Sequence, residues 1–247
     1  MQANTQNANE IVTEGQPAAE PSIMTDLLNG YRFRVCETAE DVERALEVRR
    51  AVYNGSCGYD VPVPDEHDSR SWILLAEDMR TGKAVGTMRI TPRFGGKLEL
   101  EEYFRLPLHL RSSRTVELNR FAILPEYRKG KTFLPAVSCG LFKLVMSFLQ
   151  RLGTHHMVIA SKPERIWTYE WLRFERTGVV ASYGKLDDAK HELMAYDFRR
   201  ALAILADHPF HEFFCDLEYP EIAVPANIPA LDLVAEPEVP FRLAVGA

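Results

Sequence analysis

The fold of this chain is decided by the stretch TVELNRFAILPEYRKGKTFLPAVSCGLFKLVMSFLQRLGTHHMVIA, which runs from Thr115 to Ala160. It opens with a strand-like segment, TVELNRFAI, and closes with a short buried-strand pattern, MVIA. Between them a charged loop, PEYRKGK at 125–131, leads into a segment from about Thr132 to Leu152 that is apolar nearly all round. The stretch therefore predicts a strand, a basic glycine-containing loop, a buried helix and a second strand.

The segments before this stretch alternate between strand and helix periods. Tyr31–Val35 predicts a strand, and the apolar face of Ala39–Tyr53 predicts a helix whose capping box begins at Thr38. The segments WILLAE (72–77) and AVGTMRIT (84–91) flank a short polar turn, which predicts two adjacent antiparallel strands. This alternation predicts an α/β fold.

The composition fits one globular domain. Of 247 residues, 46% are hydrophobic and 26% are charged. Polar residues dominate 1–25, which predicts a disordered tail, and 26–208 holds the periodic segments of the domain. The proline-rich end at 209–247 predicts an extended segment that docks through apolar residues such as Phe213 and Phe214. A net charge of -6 argues against non-specific nucleic-acid binding, which requires a concentration of Lys and Arg.

Neither a secretion signal nor a membrane span is expected, because the chain begins without a basic start and has no long apolar run. We therefore expect a cytoplasmic protein. The four cysteines are far apart, and the adjacent His155 and His156 would point to opposite faces of a strand. No metal site is predicted.

The loop at 125–131 has the features of an anion site. Arg128, Lys129 and Lys131 contribute positive charge. Gly130 allows a close backbone approach, and the unpaired N–H groups at the start of the next helix point toward the loop. This arrangement suits a phosphate or pyrophosphate. The alternative is a solvated surface turn, which is what most short charged loops are.

Several charged residues fall on segments that otherwise belong to the core. Arg49 shares a helical face with apolar residues, where a guanidinium needs an anionic partner. The alternative is a position at the edge of that face, from which its head reaches water. The other charged residues of this kind are Asp65, Asp68, Arg89, Glu117 and Arg120.

These residues occur in the order and spacing of a known family. The segments VRRAVY, DEHD, GTMRI and VELNRFAI resemble the acyl-homoserine-lactone synthases and the related N-acyl amino acid synthases. The resemblance implies an α/β fold of the GNAT (acyl-CoA N-acyltransferase) type, with a mixed central sheet flanked by helices. It implies Glu117 as the catalytic residue. The acceptor-binding or active-site network is implied at Arg49, Tyr53, Asp65, Asp68, Arg89 and Arg120. The acyl-pantetheine site is implied at Phe121, Ala122, Ile123, Arg128, Lys129, Gly130 and Lys131.

The same resemblance implies the reaction. The donor would be acyl carrier protein bearing a 4′-phosphopantetheine thioester, with acyl-CoA as the alternative, and the acceptor would be the α-amine of an amino acid, with no bound cofactor. The lactone synthases carry a tryptophan shortly after the helix, where the nearest aromatic residue here is Tyr59, so the amino acid branch is favoured. The rival functions are an acyl-homoserine-lactone synthase using S-adenosylmethionine, an N-acetyltransferase using acetyl-CoA, and a catalytically silent GNAT-like binding module.

The mechanism implied is direct aminolysis with Glu117 as general base, acting through a water. Backbone N–H groups around 121–123 would stabilise the oxyanion, provided that the strand is bulged or splayed. Glu117 and Arg120 are three positions apart and would face opposite sides of a regular strand. A bulge would bring both to one site; in a regular strand Arg120 would instead hold the acidic loop through Asp65 or Asp68. Arg49 or Arg89 is expected to bind the acceptor carboxylate, because a guanidinium fork matches two oxygens.

The buried helix offers a place for the acyl chain. A long chain needs an apolar tunnel, and apolar side chains of this helix either line one or belong to the core. The residues concerned are Phe142, Val145, Met146 and Phe148. Both interpretations stay open at the level of sequence.

Overall fold

The structure is a computed structural model that describes residues 27–128, 135–183, 189–215, 218–229 and 231. Within these residues one mixed sheet holds eight strands, in the order β6-β7-β5-β4-β3-β2-β1-β8. The strands are β1 (Tyr31–Val35), β2 (Trp72–Asp78), β3 (Lys83–Pro92), β4 (Thr115–Ile123), β5 (His156–Ser161), β6 (Glu175–Ser182), β7 (Lys190–Asp197) and β8 (Ile222–Ala223). Neighbours are antiparallel except for two parallel pairs, β4 with β5 and β1 with β8.

Helices cover both faces of the sheet. They are α1 (Ala39–Arg50), α2 (Ala136–Arg151), α3 (Ile166–Trp171), α4 (Ala201–Leu205) and α5 (His211–Cys215). Successive residues of β2 divide between the faces, because side chains alternate along a strand. Leu74 and Ala76 join the apolar cluster under α2, whereas Ile73 and Leu75 join the cluster under α1.

The contact of α2 with the sheet depends on a glycine. A Cβ atom added to Gly140 would lie 2.1 Å from the ring of Phe33, which has no exposed surface. The helix therefore packs close enough to β1 that only a hydrogen fits between them. This close packing seats the long apolar helix that the sequence predicts.

Most predicted elements are confirmed. The strands at Tyr31–Val35 and Thr115–Ile123 have the predicted bounds, and β2 and β3 form the predicted antiparallel pair. The Thr38 hydroxyl accepts a hydrogen bond from the Asp41 amide at 3.2 Å, so the predicted cap is present. The other half of the capping box is wrong, because the Asp41 carboxylate instead binds Arg34 at 2.5 Å.

The two long helices differ from prediction at their ends. The first ends at Arg50, and the predicted continuation to Tyr53 is a π-helical turn over Ala51–Ser56. The predicted start of the second, at about Thr132, falls within residues 129–134, which lie outside the described residues. The described helix begins at Ala136, directly after Pro135.

The described part of the C-terminal segment folds back on the domain. Phe213 and Phe214 are buried in the main apolar cluster, and β8 pairs with β1. The prediction of an extended segment is wrong for His211–Cys215, which forms a short helix. Ten residues separate Pro209 from Pro220, and proline excludes only a helix that runs through it. The predicted tail at 1–25 lies outside the described residues.

A bilayer-spanning helix is not found among the helices that the structure describes, since none combines the necessary length and apolar character.

The packing at Gly140 gives a first prediction. Gly140→Ala should lower the free energy of unfolding by about 1–3 kcal/mol, because a methyl group would overpack against Phe33. Gly95→Ala is the control, since a Cβ atom there meets nothing within 4 Å. Urea denaturation of both variants measures the difference. An unchanged or increased stability of Gly140→Ala would contradict this account of the helix–sheet contact.

Candidate active site

Three buried arginines and three buried carboxylates meet on the α1 face of the sheet. They come from α1, the loop before β2, β3, the turn before β4, and β4 itself, and none is more than 7% exposed. We call this group the buried ion cluster; its members are Arg49, Asp65, Asp68, Arg89, Glu99 and Arg120. All of them except Glu99 are predicted as site residues from the sequence.

Arg89 stands at the centre of the cluster. Its Nη1 donates to Asp65 and, at 3.2 Å, to Asp68, while its Nη2 donates to Glu99. Its Nε donates to the Asn119 side-chain oxygen at 2.8 Å. Burial opposes the charge on Arg89, but the surrounding carboxylates outweigh that effect and raise the pKa of Arg89. Every edge of this guanidinium is therefore occupied.

Arg49 is held on one side only. Its Nη1 donates to both carboxylate oxygens of Asp68, at 2.7 and 2.8 Å. Its head does not reach water, because the residue is only 1% exposed, so the edge position considered from sequence is excluded. The Nε and Nη2 atoms are buried and have no hydrogen-bond partner among the described residues. These two atoms form one edge of the guanidinium, and the described residues leave that edge unpaired.

The acidic loop before β2 turns inward on itself. The Asp65 amide donates to Asp68 at 2.7 Å, and the His67 amide donates to Asp65 at 2.9 Å. Burial opposes the ionised form of Asp65, but the charges of Arg89, Arg120 and Arg49 outweigh it and hold the pKa of Asp65 well below its usual range. Asp65 is therefore a structural anion and not a proton acceptor.

The bulge that the spacing of Glu117 and Arg120 requires is present in β4. The register with β3 shifts by one residue between Arg89 and Thr87, and Arg120 has a φ of 51°. Arg120 Nε donates to Asp65 at 2.8 Å, and its Nη2 donates to Glu99 at 2.7 Å. The left-handed backbone therefore turns Arg120 into the cluster on the side where Glu117 lies.

Glu117 is buried beside the cluster but is not paired with it. It is 1% exposed; its carboxyl oxygens accept from the Leu100 amide at 3.2 Å and the Asn119 side chain at 2.8 Å. No basic side chain of the described residues lies within ion-pair distance. Burial, followed by the charge of Glu99, raises the pKa of Glu117 to about 7. Glu117 is thus a fourth carboxyl group in a cluster whose three arginines already face three carboxylates.

The strands β4 and β5 separate next to Glu117. Their parallel pairing covers only Thr115–Glu117 with His156–Val158, after which β4 continues to Ile123 without β5 as a neighbour. We call the opening between these strands the cleft. The carbonyl of Phe121 accepts from Tyr53 at 3.2 Å, so the backbone of this residue faces the cleft.

Alternation along β4 assigns the backbone groups of its last residues. The Leu124 amide donates to Val85 of β3 at 3.0 Å, so Ala122, two residues earlier, also faces β3. The backbone N–H and C=O groups of Phe121 and Ile123 lie on the opposite edge of β4, which faces the cleft. The expectation of free N–H groups over 121–123 is therefore corrected for Ala122, whose N–H belongs to the sheet.

The predicted anion loop is described only in part. Arg128 is exposed, and its Nε donates to the Ile123 carbonyl at 2.8 Å, which places it at the mouth of the cleft. Lys129, Gly130 and Lys131 lie outside the described residues.

Aromatic residues line the cleft. Tyr53, carried by the π-helical turn after α1, stacks on Tyr59 with ring centroids 6.2 Å apart. Lys162, directly after β5, lies over the Tyr59 ring at 5.9 Å. Burial raises the pKa of Tyr53, so its hydroxyl keeps its proton and donates to β4. The loop that holds Tyr59 thus bridges the two diverging strands.

The tunnel interpretation of the helix residues stays a prediction, because the apolar space beside them is very small. Phe142 and Met146 line a narrow apolar space of about 10 Å³ that also contacts Phe214. Phe148 instead packs on Trp72 at 5.3 Å, and Val145 has no exposed surface, so both belong to the core.

A possible metal-binding group lies outside the cluster. Ligand atoms of Glu66, His67 and Glu102 lie within 4.8 Å of one another. Arg70 donates to Nδ1 of His67 at 2.7 Å, so in a neutral ring the proton is on Nε2, which faces Glu102 at 3.3 Å. A nitrogen that carries a proton does not bind a metal, and we assign this group to hydrogen bonding.

Two residues of the site were missed from sequence, Glu99 and Asn119. Asn119 lies inside the segment VELNRF, between the predicted site residues Glu117 and Arg120. Glu99 belongs to the segment LELEE at 98–102, whose three glutamates look alike in sequence. Only its position between the buried Leu98 and Leu100 indicated that this glutamate differs.

Comparison with known proteins identifies the family of the chain. The family of the N-acyl amino acid synthase FeeM matches residues 45–197, which is more than half of the chain and includes every member of the buried ion cluster. The chain belongs to the FeeM family of N-acyl amino acid synthases. The resemblance to the N-acyl amino acid synthases is thereby confirmed, and the protein is an N-acyltransferase of the FeeM type.

Solved structures confirm the fold. FeeM from uncultured soil microbes superposes with a TM-score of 0.60 at 16% identity, covering 74% of this chain and 96% of FeeM. The CoA-dependent acyl-homoserine lactone synthase BjaI, solved with SAM and isopentyl-CoA, superposes with a TM-score of 0.57 at 18% identity. The match covers 82% of this chain and 97% of BjaI. A putative N-acetyltransferase from Lactobacillus plantarum superposes with a TM-score of 0.51 at 15% identity, and the match covers 68% of this chain and 99% of that protein. Comparison with curated protein sequences gives no significant match.

The cluster gives a second prediction. Asp68→Asn should destabilise the fold by about 3–5 kcal/mol, because it leaves Arg49 charged and buried without its anionic partner. The control is Glu43→Gln, which removes one partner of the partly exposed Arg50 and should cost at most about 1 kcal/mol. Chemical denaturation measures both changes. Equal effects would mean that the buried pair contributes no more than a surface pair.

Proposed function

We propose that this chain transfers a fatty acyl group from acyl carrier protein to the α-amine of an amino acid by direct aminolysis. The observation that carries the proposal is Glu117, a buried carboxyl group that forms no ion pair with any described residue, placed where β4 leaves β5. This combination supplies a base next to an opening that a thioester can enter.

The basicity of Glu117 suits the reaction. The pKa of an α-ammonium group in water is about 8, so this group must lose a proton before its nitrogen can attack the thioester carbonyl. A carboxylate whose pKa is raised to about 7 accepts that proton far better than an ordinary glutamate. One proton of the ammonium group passes to Glu117 directly or through one water, and the amine nitrogen then forms the new C–N bond. The C–S bond breaks, and the second proton lost from the nitrogen goes to the departing sulfur, which leaves as the thiol.

The developing oxyanion needs donors in the cleft. The N–H groups of Phe121 and Ile123 face this side of β4, where β5 is absent. Donors fixed by the sheet need no reorganisation as negative charge forms on the carbonyl oxygen. The bulge at Arg120 lies directly before them and sets their direction.

The acceptor carboxylate needs an arginine with unpaired donors. Arg89 has all its edges occupied, whereas Arg49 presents an unpaired Nε and Nη2 edge. Two parallel N–H groups match the two oxygens of a carboxylate. Of the two arginines considered from sequence, we therefore assign the acceptor to Arg49. The adjacent rings of Tyr53 and Tyr59 would contact its side chain.

The proposal for the acyl donor rests on the positive charge at the mouth of the cleft. Arg128 lies there, and the neighbouring sequence adds Lys129 and Lys131, a charge pattern that suits the phosphate of a pantetheine arm and the acidic surface of a carrier protein. The acyl chain would enter the apolar space beside Phe142 and Met146, which must widen to receive it.

The direct test is product formation. The purified protein is incubated with acyl carrier protein bearing C8 to C18 chains and with all twenty amino acids, and products are identified by mass spectrometry. An N-acyl amino acid supports the proposal. Release of methylthioadenosine after addition of S-adenosylmethionine would instead identify a lactone synthase. Absence of any acylated product, with acyl-CoA also supplied, would leave a binding module.

The third prediction concerns the base. Glu117→Gln should lower kcat by about 10²- to 10⁴-fold, the usual contribution of an acid–base group. A base acts in its ionised form, so kcat/KM of the unmodified protein should rise with pH through a midpoint near 7. This rise of kcat/KM with pH should be absent in Glu117→Gln. A residual rate with the same midpoint would assign the base to another residue.

The fourth prediction concerns the acceptor. The unmodified protein should prefer a free amino acid to its amide, and Arg49→Lys should reduce that preference by about tenfold or more, because lysine has no paired donors. The ratio of kcat/KM for acid and amide gives the result independently of the amount of folded enzyme. Arg50→Lys, on the same helix, is the control. An unchanged ratio in Arg49→Lys would place the carboxylate elsewhere.

A further inference from the structure

Asn119 connects the cluster to Glu117 in one fixed orientation. Its side-chain oxygen accepts from Arg89 Nε at 2.8 Å, and arginine only donates, so the amide cannot be reversed. The amide nitrogen must then face the carboxyl groups, and it donates to Glu117 at 2.8 Å and to Glu99 at 3.1 Å. Both of its hydrogens are used.

Glu99 is held against this nitrogen by two arginines. Its side chain has no exposed surface and accepts from Arg89 and, at 2.7 Å, from Arg120. Because Glu99 and Glu117 bind a single nitrogen, their carboxyl oxygens are at most about 6 Å apart, within the range at which like charges disfavour each other. Glu99 forms ion pairs with Arg89 and Arg120, so the effect of the two neighbouring carboxyl groups on each other falls on Glu117.

The remaining groups around Glu117 come from other elements. Arg89 of β3 favours its ionised form, as does the Leu100 amide from the turn. Arg70, before β2, also interacts electrostatically with Glu117. Tyr183, after β6, is buried and near both glutamates, and burial raises its pKa, so its hydroxyl stays neutral. Glu99 is thus the anion that acts most strongly on Glu117.

We propose that Glu99 and Asn119 are positioning residues that together set the basicity of Glu117. Glu99 opposes its ionisation through charge, and the Asn119 amide orients the carboxyl group and favours its ionisation through one hydrogen bond. The two residues therefore act in opposite directions on the same proton. The proposal rests on the proposed function only in making Glu117 the base; the coupling itself is a property of the folded chain.

Two variants of the full chain test this coupling with opposite signs. Glu99→Gln removes the repelling charge and should move the midpoint of Glu117 titration down by about one pH unit or more. Asn119→Ala removes the donor to the carboxylate and should move it up. The control is Glu101→Gln, the same change two residues along the turn, where the carboxylate pairs with Arg93 at 3.0 Å. It should leave the midpoint unchanged.

The midpoint is read in two ways. The pH profile of kcat/KM gives the midpoint of the Glu117 titration through activity. The carboxyl carbon signal of Glu117 in ¹³C NMR gives the same midpoint without any reaction, and this signal is assigned by its loss in Glu117→Gln. Movement of the NMR midpoint in the two predicted directions supports the coupling even if no acyl transfer is found, in which case only the proposed function fails. If Glu99→Gln does not fold, Asn119→Ala alone decides. A folded variant whose NMR midpoint stays at the unmodified value would overturn the proposal.

Discussion

The pairing of Arg89 with its carboxylates is the constraint on which the rest of the structure depends. This guanidinium has no exposed surface, and a charge in that position costs several kcal/mol unless oxygens surround it. Those oxygens come from the loop before β2, the turn at Glu99–Glu102 and β4. The sheet can close over Arg89 only when these irregular segments are in place. Desolvation therefore fixes loops that have little regular hydrogen bonding of their own.

Two departures from regular backbone meet at the same end of the cleft. Arg120 adopts a left-handed conformation, which costs of order 1–2 kcal/mol for a residue with a side chain and is offset here by its bonds to Asp65 and Glu99. The π-helical turn after α1 brings the Tyr53 hydroxyl to the Phe121 carbonyl. Such turns are frequent at functional sites. Each irregularity is stabilised by a contact that also shapes the opening between β4 and β5.

Local pattern was enough to predict the elements and one irregularity, but not the pairing inside the site. The bounds of β1 and β4 follow from alternation, and the bulge follows from the spacing of Glu117 and Arg120. Its place between two leucines is the single local feature that separates Glu99 from the other glutamates of its turn, because its burial depends on Arg89 across the sheet. For the same reason the sequence left Arg49 and Arg89 equivalent. Only the occupancy of their donors, set by distant residues, distinguishes them.

The charge balance of the cluster links stability to function. Three arginines form ion pairs with Asp65, Asp68 and Glu99, and within the described part of the chain none of them forms an ion pair with Glu117. Its pKa in the folded chain, about 7, lies above that of an ordinary glutamate. The folded state therefore holds this proton more tightly than the unfolded chain, and the resulting stability is present at low pH and is lost as the pH rises through about 7. The ionised form that a base requires is thus the less stable one. This loss of stability is tolerable because the surrounding ion pairs are complete without Glu117. The cost of burying charge thus organises the loops around Arg89 and also keeps the Glu117 carboxyl group basic.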